Sequence, residues 1–209
     1  MALMIPEKPN RFHPGSLEDV MFESLERLPD EYTVFHSFRI TRIKDGTVYE
    51  SETDFVIFHR KQGVLCLEAK AGAVTYHGGR WFYGNGEPMH NGGPFNQAAS
   101  NKWKLMELIG NSRLRYLADR IKFLHGVWLP SLSAEQIDSI PMPPEGDRAI
   151  VFGAEALDNP LPYIEALFSL NVRSGIITNL TENESERLIM EILCPEFNVP
   201  KLFTEQYLN

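Results

Sequence analysis

The 209-residue chain has two cysteines, Cys66 and Cys194, far apart and in no C-x-x-C pairing. This excludes a disulfide framework and a cysteine-rich zinc site, and it fits a reducing cytoplasm. No apolar run approaches the roughly 18 residues of a membrane span. The opening "MALMIPEKPN" lacks the long apolar core of a signal peptide. A cytoplasmic protein without a membrane partner is the expectation. There is also no excess of positive charge: 20 Lys and Arg against 28 Asp and Glu give a formal charge of -8. That balance argues against indiscriminate binding to nucleic acid or anionic lipid, but it leaves room for a local basic surface. Internal repeats and low-complexity tracts are missing too. With 43% hydrophobic residues and 13 Phe, the chain is long enough for one sizeable core, so residues 1–209 are expected to form a single domain.

The pattern opens with a helix in "PGSLEDVMFESLERLPDEY". Ser16 is the expected N-cap, Leu17, Val20, Met21, Leu25 and Leu28 form its apolar stripe, and Pro29 stops it. "YTVFHSFRI" and "GTVYESE" read as strands around a "KDG" turn. The apolar segments 54–59 and 64–70 follow as a pair turned at "RKQG", and "AVTYHGGRWFY" is a further hairpin. A loop rich in Gly and Asn, "GNGEPMHNGGP", leads into a helix near 95–109. "FLHGVWLP" and "RAIVFGAEAL" read as strands, separated by a proline-rich surface insertion. Helices are expected at 162–170 and 182–193, the latter capped by Thr181 with Glu184 in capping-box register. A helix, a run of strands, then strands mixed with helices argue for an α/β or α+β fold with a mixed sheet, and α/β is the expectation.

The 54–70 pair carries an unexpected set of charges. Ionised groups at the end of a core strand cost several kcal/mol unless they are paired or bound to a metal. With opposed residues summing to about 123, Asp54 lies opposite Ala69, one step from Glu68 and Lys70, and those two share a face. Three charged groups converge at one end of the hairpin. Two crowded carboxylates repel, and a hard divalent cation such as Mg²⁺ or Mn²⁺ relieves the conflict. A rim salt bridge of Lys70 with either acid satisfies the same spacing. Two more residues join this set. On a helical wheel Glu18 flanks the apolar stripe of the first helix, whereas Asp19, Glu23 and Glu26 point to solvent. Gln97 begins a helix directly after the glycine-rich loop, where a helix N-terminus attracts anions.

In order and type, a helix with Glu18, then "TDFVIF", "LCLEAK" and a helix opening "FNQAASN" resemble the PD-(D/E)xK nuclease pattern. The closest likeness is to the NERD (nuclease-related) domains, and the "GGRWFY" hairpin belongs to it. Thr53 stands where the eponymous motif has proline. The resemblance covers about residues 15–130 and implies a restriction-endonuclease-like core, α-β-β-β-α-β, with a C-terminal strand and helix extension at about 148–200. It further implies a Mg²⁺- or Mn²⁺-dependent DNA nuclease acting in DNA processing or repair. Asp54 and Glu68 would hold the metal, with Glu18 as a further ligand directly or through water. Lys70 would orient the attacking water, and Gln97 would position the phosphate or that water. The rival expectations are an inactive DNA-binding or protein-docking module of the same fold, and a small-molecule phosphodiesterase.

Between Lys102 and Lys122 six Lys or Arg stand against Glu107 and Asp119. A groove contacting DNA phosphates through Lys102, Lys104, Arg113 and Arg115 is one reading, and a solvated helix face is the other. The aromatics of "RWFY" suit base stacking or hairpin packing equally, and none of the six histidines shows metal-ligand spacing. "CPEFNVPKLFTEQYLN" has the look of a lead-in to a helicase core, so a helicase domain in the same, longer chain is a possible partner.

Overall fold

A computed structural model describes residues 1–8, 12 and 15–196. Its elements in chain order are β1 (Leu3–Ile5), α1 (Glu18–Glu26), β2 (Tyr32–Lys44), β3 (Thr47–His59), β4 (Gly63–Ala69), β5 (Val74–His77), β6 (Arg80–Tyr83), α2 (Pro94–Gly110), β7 (Phe123–Trp128), α3 (Ala134–Ser139), β8 (Val151–Phe152), α4 (Leu161–Ser169) and α5 (Glu182–Leu188). Six strands form one mixed sheet in the order β1-β2-β3-β4-β7-β8, and β5 and β6 form a separate hairpin. Strands β2, β3 and β4 are antiparallel neighbours, whereas β1 joins β2, and β7 joins β4 and β8, in parallel. The expected α/β class and the α-β-β-β-α-β order are present, as befits a restriction-endonuclease-like core.

Alternation along the strands supplies two apolar faces. Leu65 and Leu67 of β4 pack with Met21, Phe22 and Leu25 of α1 and with Ile164, Leu167 and Phe168 of α4. On the opposite face Val64 and Cys66 pack with Leu105 and Ile109 of α2 and Leu188 of α5. Full burial of each such aliphatic side chain contributes about 1.5–3 kcal/mol. Cys66 is wholly buried, and that burial pushes its thiol up to about 12, so it is inert. A third cluster, with Trp81, Phe95, Val127 and Ile137, ties the β5–β6 hairpin to the start of α2.

Several local expectations are corrected. Ser16 is not the N-cap of α1. Leu17 holds that position in a left-handed conformation, and the Ser16 hydroxyl only accepts a long bond from the Glu18 amide. Val20 is exposed, and Phe22 takes its place in the buried stripe. The segments 46–52 and 54–59 are one strand, β3, so Asp54 lies inside a strand and does not open one. The turn joining β2 to β3 at Asp45–Gly46 is as expected, with positive φ at both residues. Edge strand β1 has too few residues to register in the sequence pattern. Of residues 148–157 only Val151 and Phe152 are strand, between two 3₁₀ turns. The proline-rich insertion is less superficial than expected: α3 carries a full capping box, and its Ile137 is buried against Trp81 and Phe95. Helices α4 and α5 and the Thr181–Glu184 capping box lie where the sequence puts them. Most of the segment read as a helicase lead-in falls outside the described residues. Among the described residues no helix is long and apolar enough to cross a membrane.

Candidate active site

The pairing of β3 with β4 runs from His59↔Gly63 to Phe55↔Leu67, so opposed residues sum to 122 and not 123. Continued one step, this register sets Asp54 directly opposite Glu68 and, two residues on, aims Lys70 to the same side. The charged groups therefore converge more directly than the expected register allowed. At Asp54 strand β3 parts from both neighbours. The ladder with β4 stops one residue before it, and the Asp54 carboxylate accepts the Ala69 amide at 2.7 Å in place of a backbone bond. The ladder with β2 skips the Ser37–Asp54 pair, and Ser37 is left-handed, with φ of 52°. That residue inverts the facing of β2: Phe35 and then Phe38 and Ile40 pack on the α2 side.

Alternation carries Asp54 and Glu68 to the α2 side with Val56, Phe58, Val64 and Cys66. Glu68 is only 5% exposed, and its Oε1 accepts from the Lys70 ammonium at 2.5 Å. Burial, then the neighbouring Asp54 charge, pushes Glu68 up to about 7. Burial likewise raises Asp54, with the Glu18 and Glu52 charges adding to it. Burial alone would lower Lys70, but the charges of Glu68 and Asp54 outweigh it and hold the ammonium above its ordinary value. The directions are consistent because one buried ammonium is shared by two carboxylates. Lys70 gains from both, each acid gets a share of one cation, and a negative charge is left over.

Helix α2 brings the fourth member. Pro94 opens it behind Gly93, whose φ is 86° and whose missing side chain leaves room for Trp81. A Cβ on Gly93 would lie 2.1 Å from the Trp81 ring, so only glycine permits this packing. One turn into the helix, Gln97 donates from Nε2 to the His90 carbonyl at 3.1 Å. Its Oε1 is buried without a partner, and so is Glu68 Oε2. Both residues line one groove. These are two buried acceptors without a protein donor on one groove, and a hard cation is one kind of ligand that oxygen atoms so placed could hold.

Glu18 stands apart. Its carboxylate lies 3.4 Å from His36 Nε2, and the His36 ring packs against Phe12, Phe22 and Phe55 on the α1 side of the sheet. Among the described residues no three His, Cys, Asp or Glu side chains are grouped closely enough to hold a metal. His36, to which the sequence assigned no role, is thus the residue that holds Glu18 at the broken ladder. Only its place just before Asp54's partner position in β2 could have pointed to it.

The four basic residues singled out in the sequence have different surroundings. Lys104 lines the groove that contains Glu68 and Gln97. Lys102 is half-buried over Cys66 and His125, its charge helping burial to push His125 down to about 4, and its ammonium sits 4.4 Å from the Trp103 ring centre. Arg113 pairs with Glu191 at 2.7 Å, and Arg115 is exposed on the 3₁₀ turn after α2.

Neither a curated protein nor a solved structure matches the chain significantly. The family model for NERD, the nuclease-related domain, matches residues 16–128, which run from the residues before α1 through β7 and contain Glu18, Asp54, Glu68, Lys70 and Gln97. A match over more than half of the chain, on a mixed six-stranded sheet flanked by helices, identifies it as a member of the nuclease-related domain family.

Proposed function

We propose that the protein is a metal-dependent deoxyribonuclease of PD-(D/E)xK type that hydrolyses phosphodiesters in DNA processing or repair. The observation that carries this reading is the group of a buried Glu68 with the half-buried Asp54 and Lys70, short of one positive charge, together with the orphaned Glu68 Oε2 and Gln97 Oε1. Asp54 and Glu68 would hold Mg²⁺ or Mn²⁺, with Glu18 contributing through water from across the broken ladder. When bound, the ion supplies Lewis-acid polarisation of the phosphate and acidifies a water. Lys70 is matched to negative charge that grows on the phosphate oxygens, a task for a fixed ammonium in a water-poor site. Gln97 Oε1, already free of protein donors, accepts from the attacking water and fixes its orientation. The pKa values of both acids are raised, so the ion displaces a proton as it binds.

Two features favour a second reading, an inactive DNA-binding or docking module: Lys70 already occupies Glu68 Oε1, and no three-ligand cluster is present among the described residues. Lys70→Ala separates the two. Incubation with labelled single-stranded, duplex and forked DNA in Mg²⁺ or Mn²⁺, against EDTA, is expected to give metal-dependent products with the wild type and none with the variant, at equal DNA binding. Wild-type protein that binds but yields no products under any of these conditions supports the module instead.

A further inference from the structure

Beyond Asp54 the β2–β3 hairpin leaves the sheet body and runs on to the Asp45–Gly46 turn as a two-stranded ribbon. Helix α2 runs alongside. Between them lies a groove of about 1410 Å³, with Glu68 and Gln97 among its lining residues. The α2 wall is a stripe at helical spacing, Gln97, Ser100, Lys104 and Asn111, which extends about 21 Å from the site. The ribbon wall brings Arg42, Lys44 and Tyr49. Arg42 reaches across to the Lys104 carbonyl at 3.3 Å and to Glu107 at 2.6 Å, a strut that sets the spacing of the two walls. Tyr49, the cross-strand partner of Arg42, is 55% exposed in this groove.

From this geometry we propose that the groove is the path of a single strand of nucleic acid, stacked on Tyr49 and led by the α2 stripe to Glu68 and Gln97. The proposal rests on the nuclease reading for what happens at the end of the path, but not for binding itself. Charge argues for one strand over a duplex. The Arg42 guanidinium is spent on Glu107 and the Glu52 carboxylate on Arg39, so Lys44 and Lys104 are the lining cations left to meet phosphates, against the carboxylates of Glu50 and Glu68. A duplex, gripped chiefly through its phosphates, needs many more cations. A single strand takes much of its affinity from bases stacked on aromatic rings and from hydrogen bonds, which Tyr49, Ser100 and Asn111 offer.

The test is anisotropy of a labelled oligonucleotide in EDTA, where cleavage cannot confuse binding, with Tm measured on each variant. Single-stranded DNA is expected to bind more tightly than duplex. Tyr49→Ala is expected to weaken it by about fivefold or more, and Lys104→Ala to weaken it and flatten the salt dependence. Trp103→Ala, an equally exposed aromatic of α2 outside the groove, is expected to bind as wild type. Two phosphate contacts give a slope of log K on log salt of about -1.4. Tighter duplex binding, an unaffected Tyr49→Ala, loss of binding in Trp103→Ala, a slope steeper than about -4, or no binding of single strands would each overturn the proposal. Binding without cleavage on adding Mg²⁺ sinks the catalytic reading and leaves the path standing. Cleavage with unimpaired Tyr49→Ala does the reverse.

Discussion

Replacing Glu68 by glutamine should stabilise the metal-free protein, and more so as pH rises. Glu68 has an ordinary value of 4.5 and is pushed up to about 7 in the fold by burial and by Asp54. Between these values the native state keeps a proton that the unfolded chain has released, so this group's contribution to stability falls as pH rises. The whole interval corresponds to about 3 kcal/mol, reached by about pH 8. The wild-type profile alone does not isolate it. Burial pushes His125 down to about 4 from 6.5. It therefore stays neutral in the fold while the unfolded chain takes a proton, and its contribution rises with pH over that window. Burial lowers His59 too, with the same sign. The difference between Glu68→Gln and wild type removes both. Glutamine keeps the size and an acceptor for Lys70 but has no proton to lose. Urea unfolding in EDTA should therefore show the variant gaining about 2–3 kcal/mol on the wild type between pH 5 and pH 8. A difference that is flat, or that turns against the variant at high pH, would mean that Lys70 fully compensates Glu68. The argument for a missing positive charge would then fail.

Other consequences are simpler to read. Gly93→Ala should force Trp81 away from the start of α2, given the 2.1 Å approach of a Cβ to that ring, and should lower both Tm and any cleavage through the displaced Gln97; near-UV circular dichroism of the Trp81 environment checks it. Leu105→Ala, which hollows the face between α2 and the sheet, should cost about 2–5 kcal/mol in chemical denaturation. Thr181→Ala removes a full capping box and should cost about 1 kcal/mol in the same assay, without altering DNA binding. Metal removal should raise the proton uptake of the site, so Mg²⁺ binding followed in buffers of different ionisation enthalpy should release protons near pH 6–7 and few above pH 8, given Glu68 at about 7.

The sequence made the site legible where chemistry and spacing coincide. Alternation alone puts Glu68 and Lys70 on one face, and the Asp45–Gly46 turn fixes the long β2–β3 hairpin. It was less informative where the outcome depends on one backbone angle. Ser37 is left-handed without being glycine, and nothing in its type announces that β2 changes facing there or that the ladder opens at Asp54. His36, and with it Glu18, lies on the α1 side by simple alternation with Tyr32 and Val34, while Asp54 and Glu68 lie on the other. The register was off by one because the turn between β3 and β4 takes three residues, Arg60 to Gln62, and its centre falls on Lys61. For the basic stretch, a phosphate-contacting groove and a solvated helix face were equally compatible with the sequence, because spacing alone does not say what each cation meets. Lys102 is half-buried over Cys66 and His125, Lys104 lines the groove and Arg113 pairs with Glu191, surroundings set by helix phase and by one acid far along the chain.

The central claim is that Asp54 and Glu68, with Gln97 beside them, leave a place for a divalent ion. A crystal soaked in Mn²⁺ and measured for anomalous scattering addresses it directly. The account predicts a peak bonded to both carboxylates, with Glu68 Oε2 turned to it and Lys70 drawn off Oε1. Manganese found only elsewhere, or the Glu68–Lys70 pair intact and no peak beside it, would contradict the account.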